Sequence, residues 1–518
     1  MLIVAALLLA LVAPGDQGRR IRGVAIPDVV AASCSDNDVA TAVSAQVNGG
    51  TVRIPAGDCT WDAAVSVPNT KGITIRGAGV GVTIIRVDAS LNDNTDRLRL
   101  FNIRTAAGNA LARLTAMTIS SEGLGFVNGV GDQSAGQCTG SCAPVHVWGT
   151  GLDRYRIDNI HFSNVKRIGL MVSNSNAANG TPSGHEFSGL TDNNIIECSA
   201  VEDTSCTGWV HYSGPAWNNG VSLAANVTAG WGLEFTRPVE RETNTAHYVE
   251  ANEFRFHTFA QNGAIEVYGG GRVVWRYNTH DGPTIGWHGV DSGGHRGTLW
   301  GSAYGNTIAC TDASAIHWRS GIGVMFGNDY TGTGNCGVVA MATYRARPQQ
   351  FHSGQGQCDG LSALDGNVGS GTNAGWPCLD QPGWFFGDAD GGSAVQMPVY
   401  IWDNQLGASE FTVGQAEVDP QYDDTHQCNR EWFLYNASFN GASTVNSCAT
   451  GGVGIGTRAQ MDAITSPTNY VGFWVTDEGG NWNTVSGGAN DGRLYTASGG
   501  SWSVYYTPYT YPHPLKAP

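Results

Sequence analysis

Short apolar strands that end in Asn at intervals of 26, 28 and 22 residues predict an all-β chain wound as a right-handed parallel β-helix. Composition agrees. Gly accounts for 72 of 518 residues, about twice its usual share, and charged residues are 14% against roughly 25% in an average globular protein. Lys is confined to Lys71, Lys166 and Lys516, so Arg carries nearly all the positive charge. A chain rich in Gly, Asn, Thr and Val suits tight turns and short strands better than helices.

The repeat reads as follows. Val249-Glu-Ala-Asn252-Glu-Phe254, Trp275-Arg-Tyr-Asn278-Thr-His280 and Ala303-Tyr-Gly-Asn306-Thr-Ile308 each place Asn at a strand end and, for the most part, an apolar residue two positions later. Met325-Phe-Gly-Asn328-Asp-Tyr330 and Ile401-Trp-Asp-Asn404-Gln-Leu406 continue the series, and Arg156-Ile-Asp-Asn159-Ile-His-Phe162 is an earlier echo. An Asn stacked at a turn bonds the coils above and below, satisfying backbone groups that no strand ladder reaches. One coil cannot bury its own core, so stacking supplies the stability.

The N-terminus, Met1 to Val12 followed by Ala13-Pro14-Gly15, reads as the apolar core of a signal peptide over about residues 1–20, although no Lys or Arg precedes it. The alternative is a buried strand. Twelve cysteines fall into sequential couples: Cys34/Cys59, Cys138/Cys142, Cys198/Cys206, Cys310/Cys336, Cys358/Cys378 and Cys428/Cys448. An even count behind a signal segment predicts disulfides and a secreted, extracellular or periplasmic protein. The competing zinc site at Cys138 and Cys142 lacks a second close Cys/His couple. A net charge of −16 argues against nucleic acid, and no later segment is long and apolar enough for membrane insertion. A monomer is expected.

Residues 36–46 carry an acidic start and helical spacing, and Gly49-Gly50 follow. Strands then read from Thr51-Val-Arg-Ile54, Gly72-Ile-Thr-Ile-Arg76 and Thr83-Ile-Ile-Arg-Val87. A short helix over the first strands would protect their edges, with Cys34 and Cys59 pinning it. The run from Cys34 through Ile54-Pro-Ala-Gly57 to Ile73-Thr-Ile-Arg-Gly-Ala-Gly79 resembles the N-terminal cap and first coils of the pectate-lyase-like β-helix superfamily. The resemblance extends over residues 34–406 and implies a surface suited to polysaccharide. The expected organisation is a β-helix over 34–407, interrupted near 176–247 and 331–396, then a C-terminal capping or extension region over 408–518. That region ends in an aromatic, Pro-rich tail, read as a cover over the last coil or, alternatively, as a binding module.

If each repeat Asn faces inward, the residue two before it points out. That position holds Glu250, Arg276, Tyr304, Phe326 and Trp402. The first four form one expected column, a charged pair running into aromatic faces, while Trp402 lies beyond the insertion and several coils away. The column reads as a glycan track or as a solvated face. His280-Asp281 and Trp287-His288-Gly-Val-Asp291-Ser-Gly-Gly-His295-Arg296 put three His, two Asp and an Arg within 17 residues. β-Elimination of a uronide needs a base for the proton beside the carboxylate and a cation to hold that carboxylate. Arg276, His288, His295 and Arg296 are the expected catalytic group, with Glu250, His280, Trp287, Tyr304, Phe326 and Trp402 binding substrate. Asp281 and Asp291, with Glu250, are the expected ligands of a Ca²⁺ ion bridging an anionic glycan. The expected activity is therefore that of a polysaccharide lyase. Two alternatives stand beside it: an inverting hydrolase using Asp281 and Asp291, and a non-catalytic adhesin or structural surface protein.

Overall fold

The computed structural model describes residues 26–88, 99–122, 143–165, 168–174, 187–198, 207–212, 241–256, 264–268, 270–281, 285–287, 297–311, 316–333, 336, 338–341, 381–386, 394–410, 412–414, 426–485 and 491–517. Each complete coil contributes three strands. His247–Glu250, Glu253–Arg255 and Ile265–Tyr268 make one coil, and Arg272–Arg276, Thr279–Asp281 and Ile285–Trp287 make the next. Trp300–Tyr304, Thr307–Thr311 and Ile316–Trp318 follow, then Ile322–Phe326, Asp329–Thr333 and Val338–Met341. Pairing from coil to coil is parallel throughout. The first two strands of each coil belong to a 21-stranded sheet, and the third to a separate ten-stranded sheet. The fold is a parallel β solenoid.

Asparagine fixes the corner between the first two strands. The side-chain Nδ2 of Asn194, Asn252, Asn278, Asn306 and Asn328 donates to Oδ1 of the next Asn at 2.9, 3.1, 3.2, 2.8 and 2.7 Å, ending at Asn404. Each Oδ1 also accepts the backbone N–H of the preceding ladder Asn, so buried corner groups are satisfied between coils. The residue before each ladder Asn sits in the left-handed region: Asn193 at φ 54°, Ala251 at 57°, Tyr277 at 55° and Asp403 at 54°. Gly305 and Gly327 take that place where the sequence supplies the residue that suits it best.

Asn159 is the exception to the sequence reading. It lies in the left-handed position itself, at φ 52°, and Ile160 takes the ladder place, donating its N–H to Asn194 Oδ1 at 3.0 Å. Asn194 was hidden because 176–247 reads as an interruption; strands Phe187–Asp192, Ile195–Cys198 and Thr207–Tyr212 in fact carry a coil through its first half.

The lumen is lined by alternate residues of all three strand rows, among them Phe254, Trp275, Trp287, Ile308, Trp318 and Tyr330, all 1% exposed or less. At the N-terminal end, helix Asp36–Ala45 starts at Ser35, whose side chain accepts from the Asp38 N–H, and buries Val39, Ala42 and Val43. Trp61 donates to Cys34 O at 2.8 Å, and the Cys34–Cys59 disulfide ties this segment to a strand. A second disulfide joins Cys428 and Cys448, and Cys198 and Cys336 are also disulfide-bonded.

Beyond the last Asn corner, Trp432–Leu434 adds a parallel rung to Val399–Trp402. A four-stranded sheet then forms from Val453–Gly456, Gly472–Val475, Arg493–Ser498 and Ser501–Tyr506. It packs against the side of the solenoid, and the tail after Tyr506 runs back along that side toward the earlier coils.

Candidate functional site

Glu250, Arg276, Tyr304, Phe326 and Trp402 are register partners on five successive rungs. Trp402 is therefore one rung from Phe326 and not several coils away: Val338–Met341, inside the expected interruption, is the third strand of the Phe326 coil, and Val399–Trp402 pairs directly with Ile322–Phe326. The column is buried: Glu250 and Arg276 are 0% exposed, Tyr304 and Trp402 1%, Phe326 8%. This corrects the expected glycan track. The C-terminal region covers it, with Trp474 against Phe326 and Trp402, Trp482 against Tyr304, and Tyr509 and His513 against Tyr248 on the neighbouring row.

Chemistry in the column is spent on that contact. Arg276 donates Nε and Nη2 to Glu250 Oε2 at 2.9 and 2.7 Å, and Nη1 to Tyr304 Oη at 2.8 Å. The same guanidinium donates to the carbonyls of Tyr509 and Thr510, both at 2.8 Å. Glu242, which the sequence does not single out, accepts from Tyr304 Oη at 2.5 Å, from Tyr506 Oη and from the Tyr509 N–H. Burial raises the Glu242 carboxyl above its ordinary range, against the pull of Arg276.

The other expected residues scatter. His280 and Trp287 point into the lumen and are buried, so neither meets a substrate. His280 takes the apolar position of its row, between Phe254 and Ile308, and burial pushes its imidazole down to about 3. Asp281 is exposed and accepts the Phe256 N–H at 2.5 Å, whereas Glu250 is buried against Arg276. No group of three His, Cys, Asp or Glu among the described residues is arranged to hold a metal ion. His288, Asp291, His295 and Arg296 lie outside the described residues.

The outer face of the ten-stranded sheet carries a second set of polar groups. Inward positions on its strands are Ile265, Val267, Ile285, Trp287, Ile316 and Trp318, so Glu266, Gly286 and His317 face out. Register places these three on successive rungs, which sets Glu266 and His317 about 9.6 Å apart along the stack. Gly286, itself buried, puts no side chain between them, and Glu266 leans over it: a Cβ on Gly286 would lie 3.1 Å from Ile265 O and 3.8 Å from Glu266 Cγ. Arg319 follows His317 at the strand end, and Glu266, His317 and Arg319 are all half-buried.

Earlier rungs extend the face. Trp148 donates to Asn102 Oδ1 at 2.7 Å beneath Arg104, whose guanidinium carbon lies 4.2 Å from the ring centroid. His146 shares a hydrogen bond of 2.7 Å with Ser173, and burial, reinforced by Arg99 and Arg104, holds it neutral. Sequence reading missed this face because its strands carry no Asn that recurs from coil to coil. The one available signal was Trp287, whose inward position makes Gly286 outward.

No family model matches the sequence, and no curated protein matches it. Among solved structures, the chain is similar to an alginate lyase from Paenibacillus sp. str. FPU-7 at 12% identity and a TM-score of 0.28, covering 59% of this chain and 94% of that one. ORF18 of Geobacillus virus E2 matches at 13% identity and a TM-score of 0.23, covering 59% and 61%. The catalytic domain of a GH87 α-1,3-glucanase in complex with tetrasaccharides matches at 12% identity and a TM-score of 0.31, covering 82% and 70%. The assignment of a parallel solenoid rests on the strand pairing itself.

Proposed function

We propose that the protein is a secreted polysaccharide lyase that cleaves a uronic-acid-containing glycan on the outer face of the ten-stranded sheet. The observation that carries this reading is the alignment of Glu266, Gly286 and His317 on successive rungs, with Arg319 at the end of the His317 strand. The N-terminal resemblance to the pectate-lyase-like superfamily supports it. Disulfides are compatible with an oxidising compartment, and no described helix is long and apolar enough to cross a membrane.

The chemistry follows from the residue set. A uronide seated over Gly286 presents its carboxylate to Arg319, which draws off the charge that develops when the adjacent proton leaves. His317 accepts that proton as base. The electron pair of the broken C–H bond forms the new carbon–carbon double bond, and the bond from the β carbon to the glycosidic oxygen breaks. The imidazolium returns its proton to the departing oxygen, so the ring ends as it began. Glu266 accepts hydroxyl hydrogen bonds from the neighbouring sugar and fixes its register. Inverting hydrolysis needs two carboxylates across the bond, and among the described strands of this face Glu266 is the one carboxylate.

Incubation with plant, algal and bacterial uronide glycans tests the proposal. Growth of the ultraviolet absorbance of an unsaturated uronide supports it. New reducing ends without that absorbance would assign a hydrolase, and binding without cleavage an adhesin.

A further inference from the structure

The tail from Tyr509 to Ala517 lies along the solenoid, yet side chains hold it more than strand pairing does. Its carbonyls at Tyr509, Thr510 and Leu515 accept from Arg276, Arg276 and Arg156. Its N–H groups at Tyr509 and His513 donate to Glu242 and Glu250. One isolated bridge, between Asn483 and Tyr511, adds backbone pairing. Buried charged groups thus hold much of the tail, beside the packing of Tyr509 on Tyr248 and of Tyr511 on Tyr277.

His513 is the group among them whose protonation docking forbids. Its ring is 1% exposed and packs on Tyr248 at 4.5 Å, and its Nδ1 accepts the Leu515 N–H at 3.2 Å. A proton on Nδ1 would set two N–H groups against each other. We infer that the C-terminal tail is a latch that acid releases, with His513 as its sensor and the Tyr248–Glu250–Arg276 surface as what it uncovers.

The groups facing His513 come from every packed element. Arg156, Arg276 and Lys516 are cations; Asp153, Asp192, Glu242 and Glu250 are carboxyls; Tyr248, Tyr509 and Tyr511 are phenols. Burial first, then the three cations, pushes the docked imidazole down to about 3. The undocked residue titrates near 6.5, so the docked state binds fewer protons and docking weakens as pH falls below about 6.5. Burial raises Asp153, Asp192 and Glu242, which act in the opposite sense. Comparison with His513→Gln cancels that contribution, because Gln keeps an acceptor for Leu515 and lacks the titration.

Hydrogen–deuterium exchange on the full chain reads the latch, with Trp300–Tyr304 as the internal reference. Tail protection relative to that strand, divided by the same ratio in His513→Gln, falls about 30-fold between about pH 7.5 and pH 5. A quotient that stays constant overturns the inference. If His513→Gln frees the tail at every pH, His513→Asn, whose Oδ1 branches from the same carbon as Nδ1, supplies the reference in the same quotient.

Discussion

Phe326 and Trp402 stack with ring centroids 4.6 Å apart and planes within 2°, although the whole second insertion separates them in sequence. Tyr304 continues the stack at 4.6 Å, and Arg276 and Glu250 complete the column beneath the C-terminal region. The column is thus the seam between solenoid and tail, and substitutions in it act on stability.

Arg276→Met should leave the buried Glu242 without its cation and Glu250 with Lys516 alone, and cost about 3–5 kcal/mol. Arg276→Lys loses the two-point contact with Glu250 and should also destabilise, by a smaller amount. Denaturant unfolding measures both. Turnover by the folded Arg276→Lys protein should match wild type, since Arg276 touches no substrate on the proposed face.

Asn306→Ala should break the corner ladder at its centre. The N–H and Nδ2 of Asn278 lose their acceptor, and the Trp275 and Asn328 oxygens lose a donor. Each buried group left unsatisfied costs about 1–3 kcal/mol, so the loss should exceed that of a typical core truncation. A thermal midpoint within a degree or two of wild type would contradict the ladder's role.

His280→Phe should stabilise the protein in acid. The imidazole lies among Phe254, Trp275 and Ile308, with neither nitrogen hydrogen-bonded to a described residue, and burial holds it at about 3. A base depressed in the native state contributes stability that is present above about pH 6.5 and lost as pH falls below it. At about pH 5 the loss is about 2 kcal/mol, which Phe removes. Unfolding curves at about pH 7.5 and pH 5 should show the variant's advantage growing with acidity.

Much of the solenoid was legible because Asn repeats at a fixed place in each coil. Counting back two residues from Asn252, Asn278, Asn306 and Asn328 gave the right column order. The place two after each Asn holds Phe254, Ile308 and Leu406 in other coils, which marks it as apolar, but a histidine there invites a catalytic reading. What covers the column was not legible, since contact between Tyr509 and Tyr248 joins residues half the chain apart and leaves no local pattern. The ten-stranded sheet was equally hidden. Several of its strands, such as Ile285–Trp287 and Ile316–Trp318, are three residues long, and no residue recurs at their ends from coil to coil.

The most direct test is turnover by His317→Ala on whichever uronide glycan the wild-type protein cleaves. Loss of a positioned general base should lower the rate by about 10²–10⁴-fold in a protein that still folds, because His317 faces away from the apolar lumen. Full activity in a folded His317→Ala protein would contradict the account and move the chemistry off this face.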